Sequence, residues 1–169
     1  SNTVKTFDES VNHLPLADGA SFRAMTCNVL RYELYQDLTR ITNFVNTFKY
    51  YQPDVIGFQE YCATFTANLT PKLQSLGYTV LGNEMITTGT QNFTPLAYKT
   101  ARFNCIAKGW FKLSGESAYP GHNVTWAVLQ DKTTGEKFAI STTHFFHLSD
   151  RTKADPIRAI NAQEIVDLT

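Results

Sequence analysis

The chain has 169 residues, 15 basic and 15 acidic side chains, and no formal net charge. Hydrophobic residues make up 43% and charged residues 18%, which excludes a disordered tail. The longest apolar stretches, such as Val55-Ile-Gly-Phe58, fall far short of the roughly 20 residues of a membrane span, and zero net charge argues against a nonspecific nucleic-acid coat.

Residues 1–21 are polar and aperiodic and read as an N-terminal arm. Ser1-Asn2 reads as a tag-cleavage scar, so a secreted protein with its leader removed fits the sequence; localisation stays open. Phe22 to Val29 reads as a strand apolar on both faces, hence a central one. Leu38, Ile41, Phe44, Val45 and Phe48 follow helical spacing, and Pro53 bars that helix from running further. Asp54 to Gln59 is a short apolar run after a helix, so it reads as a buried strand parallel to the first. Thr70-Pro71 predicts the N-cap and first position of a short helix, with Gly77 as its stop.

Tyr78 to Leu81 predicts a strand, and residues 83–94 an exposed loop. Pro95 to Lys99 and Trp110 to Leu113 predict further strands. Asn123–Gln130 and Glu136–Thr143 flank the turn Lys132-Thr-Thr-Gly135 and predict a hairpin. The mixed charges from Asp150 to Asp155 read as a solvated loop, and Asp155-Pro156 as the N-cap and first position of a last helix. Cys27, Cys62 and Cys105 are odd in number and widely spaced, which predicts buried thiols rather than a disulfide framework.

Asn28 and Glu60 stand at the ends of the first two strands, where open α/β sheets bind ligands. A carboxylate there suits a hard cation such as magnesium; the alternative is that Glu60 is merely the first solvated residue after a strand. His144 ends another strand, placed to donate a proton or to bond a phosphate oxygen, or serving only a structural role. His147 is either a second polar contact or a loop residue. No close ligand cluster supports zinc.

Met25-Thr-Cys-Asn-Val29, Gln52-Pro-Asp-Val-Ile-Gly-Phe-Gln-Glu60 and Thr94-Pro-Leu-Ala-Tyr-Lys99 come in this order. Trp110-Phe-Lys-Leu-Ser114, Thr125-Trp-Ala127, Thr143-His144 and a helix with Arg158, Gln163 and Glu164 follow. Together, over residues 22–169, they resemble the endonuclease/exonuclease/phosphatase family. The resemblance implies an α/β protein, the N-terminal part of a four-layer α/β/β/α sandwich whose C-terminal part is missing. It implies a hydrolase of phosphate esters using Mg2+ or Mn2+, with DNA, RNA, inositol phosphates, sphingomyelin or nucleotide-linked compounds as substrates. By resemblance Glu60 holds the metal and Asn28 orients the metal site or the phosphate. Tyr98 stands close to the scissile phosphate, and His144 bonds the phosphoryl oxygen or assists the leaving group.

Two departures stand out. Thr142 occupies the first position of the family's Asn-Thr-His, and the later Gly-Asp-x-Asn and Ser-Asp-His motifs are absent. This chain alone is therefore expected to be weakly active or inactive. The alternative is a non-catalytic binding or interaction domain with the same fold. A chance match would show as strands 54–59 and 124–130 in different sheets, or as Glu60 and His144 far apart. The inner face of the first sheet is expected to need a second chain or a C-terminal half to cover it.

Overall fold

The computed structural model describes residues 16–31, 37–82, 93–114, 122–145 and 150–167. His147, residues 83–92 of the predicted loop and the first 15 residues of the arm lie outside the described residues.

The first strand, β1, is Ala24–Asn28, and the helix after it, α1, is Thr39–Tyr51. The Asp37 carboxylate accepts from the Thr39 backbone N–H at 2.8 Å, which satisfies one free donor at the start of α1. The helix stops at Gln52, whose left-handed φ of 45° turns the chain before Pro53. Strand β2 is Val55–Gln59 and runs parallel to β1 with Ala24 opposite Val55. A short helix α2, Ala63–Asn68, was not foreseen. It leads into α3, Thr70–Ser75, where Thr70 is already helical and Leu69 takes the cap position. Gly77, at φ 87°, ends this segment as expected.

Strands β3, Tyr78–Leu81, and β4, Leu96–Lys99, complete a four-stranded sheet of order β1-β2-β4-β3. The second sheet is β5, Phe103–Lys112, β6, Asn123–Asp131, and β7, Lys137–Thr143, all antiparallel. Only the end of β5 was legible. Its register shifts between Cys105 and Ala107, and that bulge breaks the alternation that marks a strand. The β6–β7 turn forms as predicted: the Asp131 carboxylate accepts from the backbone of Thr133 at 2.8 Å and Thr134 at 3.2 Å.

The last helix, α4, is Arg151–Val166 and starts one turn earlier than predicted. Asp150 is its cap, accepting from the Thr152 N–H at 3.1 Å, and Pro156 lies inside the helix. The charged run read as a loop is therefore its first turn. Helix α4 is tied to the chain just after β5, where Asn161 Nδ2 donates to the Ser114 carbonyl at 2.8 Å.

Alternation on β2 sorts the core. Ile56 and Phe58 face α1, α2 and α3, in one cluster with Phe48, Phe65, Leu69 and Leu73. Val55 faces the second sheet, in another with Leu81, Leu96, Phe103, Ala127 and Leu129. The chain's own second sheet thus covers the inner face of the first sheet over β2, β3 and β4, whereas Ala24, Thr26 and Asn28, on the same face of β1, stay exposed, so the expected need for a further cover is met only in part. Strands 54–59 and 124–130 do lie in different sheets, but two stacked sheets require that, so it does not mark a chance match.

Strand β1 is not central among the described strands: it pairs only with β2, and Ala24, Thr26 and Asn28 are exposed. Beside it the sheets part around a groove of about 420 Å³, lined by residues of β1, β2 and β7 and by Leu96 of β4. What lies open is therefore the inner face of β1 together with the edge beside it. The far end of the sandwich is closed by charge. Arg102 bridges Asp54 at 3.0 Å and Asp131 at 2.9 Å, and Lys99 adds a 3.1 Å pair to Asp54. Among the described residues no helix is long and apolar enough to cross a membrane.

All three cysteines are free; Cys62 is buried and Cys27 and Cys105 are half-buried. Burial pushes the Cys27 thiol up from 9.0 to about 11. A raised pKa means that the stabilisation is complete below the unfolded value and is lost as pH rises through the folded one. We expect the fold to weaken between pH 9 and about 11, and Cys27→Ala to flatten part of that loss. Urea melts at stepped pH will show it; an unchanged slope in the variant would count against the burial of this thiol.

Candidate active site

Parallel pairing brings the carboxyl ends of β1 and β2 to the same edge of the sheet. The two residues that the sequence singled out there meet: Asn28 Nδ2 donates to Glu60 Oε1 at 2.9 Å. Strand alternation would aim Glu60 toward the helices with Ile56 and Phe58. Its left-handed φ of 60° breaks the alternation at that residue. A non-glycine residue held there costs on the order of 1–3 kcal/mol, the kind of strain that gathers at functional sites. The carboxylate is held on its other oxygen too, where the Arg31 backbone N–H donates to Oε2 at 3.0 Å. The Leu30 N–H in turn donates to Asn28 Oδ1 at 2.8 Å, which fixes the Asn28 amide with its NH2 toward Glu60.

The second sheet supplies His144, one residue past the end of β7. Its Nε2 lies 4.0 Å from Glu60 Oε1. Both side chains keep partial access to solvent, 27% for His144 and 17% for Glu60, so a ligand can reach them. Two hydroxyls steady this end of the second sheet: Thr143 and Thr94 both donate to the Asn123 carbonyl, at 3.1 and 3.2 Å. Thr142, which stands in place of the family's asparagine, is 6% exposed and fully engaged. It accepts from Gln59 Nε2 at 3.0 Å and donates to the Phe58 carbonyl at 3.3 Å.

Tyr98 does not join this group. It pairs with Val55 at the opening end of β2, and its ring is buried in the inter-sheet core with Leu96 and Phe103. The reason is strand direction. Strand β4 is antiparallel to β2, so its carboxyl end lies at the edge away from Glu60. Tyr98 therefore does not stand beside Asn28, Glu60 and His144, contrary to what the resemblance implies.

One residue near the site was missed. The His122 ring lies edge-on to that of His144, with centroids 6.5 Å apart. It directly precedes β6, whose start is antiparallel neighbour to the end of β7, so the pairing of the hairpin was the signal that could have found it. Phe93 also borders the site: the Arg31 guanidinium lies over its ring at 5.5 Å.

Among the described residues no three or more His, Cys, Asp or Glu side chains form a group able to hold a metal. A magnesium ion does not require one. It keeps several waters and takes one or two carboxylates plus substrate phosphate oxygens. Glu60 is one hard oxygen donor, fixed and accessible, which fits that share of a donor set.

No protein-family model and no curated protein sequence matches the chain. Solved structures do. The human Nocturnin catalytic domain, with bound sulfate, matches at 21% identity and a TM-score of 0.64, over 86% of this chain and 59% of that one. An endonuclease/exonuclease/phosphatase from Bacteroides vulgatus matches at 23% and 0.69, over 86% and 59%. ANGEL2, a 2′,3′-cyclic phosphatase in complex with adenosine-2′,3′-vanadate, matches at 19% and 0.67, over 87% and 48%. The chain thus spans about half to three-fifths of the length of these structures, and what it shares with them is the endonuclease/exonuclease/phosphatase fold: an α/β chain forming part of a four-layer α/β/β/α sandwich.

Proposed function

We propose that this chain carries the metal-binding part of a phosphoesterase site. The observation that supports it best is the meeting of Asn28, Glu60 and His144. They come from two sheets and far-apart segments, yet they converge at one edge. A similar fold serves the 2′,3′-cyclic phosphatase ANGEL2.

In this reading Glu60 holds Mg2+ or Mn2+, which when bound neutralises charge on the phosphoryl oxygens. Asn28 keeps the Glu60 carboxylate in place and has its amide at the phosphate edge of the site. His144 donates a hydrogen bond to a phosphoryl oxygen or to the departing oxygen, where negative charge grows in the transition state. The substrate is a phosphate ester.

The groups that would activate water are not among these residues. We infer that they come from a C-terminal half or a second chain that pairs with the open edges of β1 and β7. Alone, the 169-residue chain is expected to be weakly active or inactive. Loss of acid–base assistance alone costs about 10²–10⁴-fold.

One observation favours a non-catalytic binding domain instead, namely that among the described residues no three His, Cys, Asp or Glu side chains gather into a metal-holding group. The full-length protein decides between them. Assayed against DNA, inositol phosphates and sphingomyelin, an enzyme will turn over one class with Mg2+ and stop in EDTA. A binding domain will retain a phosphate ester without releasing product.

A further inference from the structure

The two halves of the site stand on different sheets, and apolar contact between sheets is non-directional. Something directional must hold Glu60 and His144 at one spacing. A polar chain crosses the interface beside them. Thr26 Oγ1 donates to Gln59 Oε1 at 3.2 Å, and Gln59 Nε2 donates to Thr142 Oγ1 at 3.0 Å. Gln59 immediately precedes Glu60, and Thr142 lies two residues before His144.

The fit around Thr142 is close on the facing strand as well. A Cβ on Gly57 would sit 2.8 Å from Thr142 Oγ1 and 2.9 Å from its Cβ. The glycine lets β7 approach β2 closely enough for the hydroxyl to reach the Phe58 carbonyl. Packing does not demand a hydroxyl here. Valine has nearly the same shape, and a buried hydroxyl costs free energy unless it is bonded.

We propose that the Gln59–Thr142 hydrogen bond is a positioning device that sets the spacing of Glu60 and His144 across the two sheets. This rests on the phosphoesterase reading of the site. It also accounts for threonine at the family's asparagine position: the hydroxyl reaches the glutamine of the neighbouring sheet. A net hydrogen bond contributes little to stability, whereas a misplacement of about 1 Å at a site can cost 10²-fold in rate. A positioning role therefore predicts a large change at the site with a small change in melting temperature.

The test uses the 169-residue chain with Mn2+ as the probe. Bound Mn2+ broadens nearby protons with the inverse sixth power of distance, so the His144 ring resonances, assigned with His144→Gln, report the spacing. In the wild type, Mn2+ should broaden them, and Glu60→Gln should abolish the effect. In Thr142→Val the broadening at equal bound Mn2+ should change by roughly threefold or more, as expected for a shift of about 1 Å. Gln59→Leu should do the same, and Thr142→Ser should restore the wild-type value. Wild-type broadening with no change in either variant would overturn the positioning role and leave the metal reading standing. Failure of Mn2+ to broaden His144 in the wild type would overturn both. Collapse of the fold in both variants would mark the pair as structural and overturn the proposal too.

Discussion

On the proposed phosphoesterase reading, Glu60→Gln should lower Mg2+-dependent turnover of the full-length protein by about 10²–10³-fold at least, the usual cost of losing one preorganised electrostatic contact. Glutamine keeps the length and shape of the side chain. Its one carbonyl oxygen can still accept from the Arg31 N–H, which donates to Glu60 at 3.0 Å. It cannot supply the negative charge that holds a hard cation. Its NH2 would also face the Asn28 NH2 that now donates to the carboxylate at 2.9 Å, so Asn28 loses its orientation as well. The backbone strain at φ 60° is unchanged by this substitution, so the fold should be kept. The measurement is a paired one, turnover across an Mg2+ titration and thermal melting. Full turnover in a folded Glu60→Gln protein would remove Glu60 from the metal site.

Phe58→Ala should be the most destabilising single change on β2. Its ring is fully buried and meets Phe48 edge-on at 5.9 Å and Tyr61 at 4.9 Å. Truncating a buried phenylalanine costs about 3–5 kcal/mol, because the transfer term and the unfilled cavity add. At about 2–4 °C per kcal/mol for a chain of this size, the melting temperature should fall by roughly 6–20 °C. The loss also reaches the site. Phe58 clamps the strand whose next two residues are Gln59 and Glu60, and its carbonyl accepts from Thr142. Melting by circular dichroism with near-ultraviolet detection will check it. A drop under 2 °C would mean that the helices do not press on β2 as described.

The elements that were legible in the sequence are those whose signal is local. Helix α1 shows its apolar spacing and its proline stop. Strand β2 is a short run of apolar residues between Pro53 and Glu60. The β6–β7 hairpin is marked by alternation and by Asp131 and Gly135, which turn the chain. Elements whose cause is not local were misread. The first turn of α4 looks like a charged loop because Asp150, not Asp155, is its cap. Most of β5 was hidden by a bulge.

Asn28, Glu60 and His144 were legible as candidates because each follows a strand-like run. The meeting of Asn28 and Glu60 was legible too, since the first two strands read as parallel, while that of His144 with them was expected from its place at a strand end in a family-like motif. The rule of strand ends brought Asn28 and Glu60 to one edge but not Tyr98, because strand ends share an edge only if the strands point the same way. Composition, periodicity and motif order thus determined the class of fold and named four candidates, of which three come together at one edge. The direction of β4, the left-handed turn at Glu60, the proximity of His122 and the polar crossing from Gln59 to Thr142 were decided by tertiary structure alone. Each depends on contacts between segments far apart in the chain, and the period of a single segment carries no record of its partner.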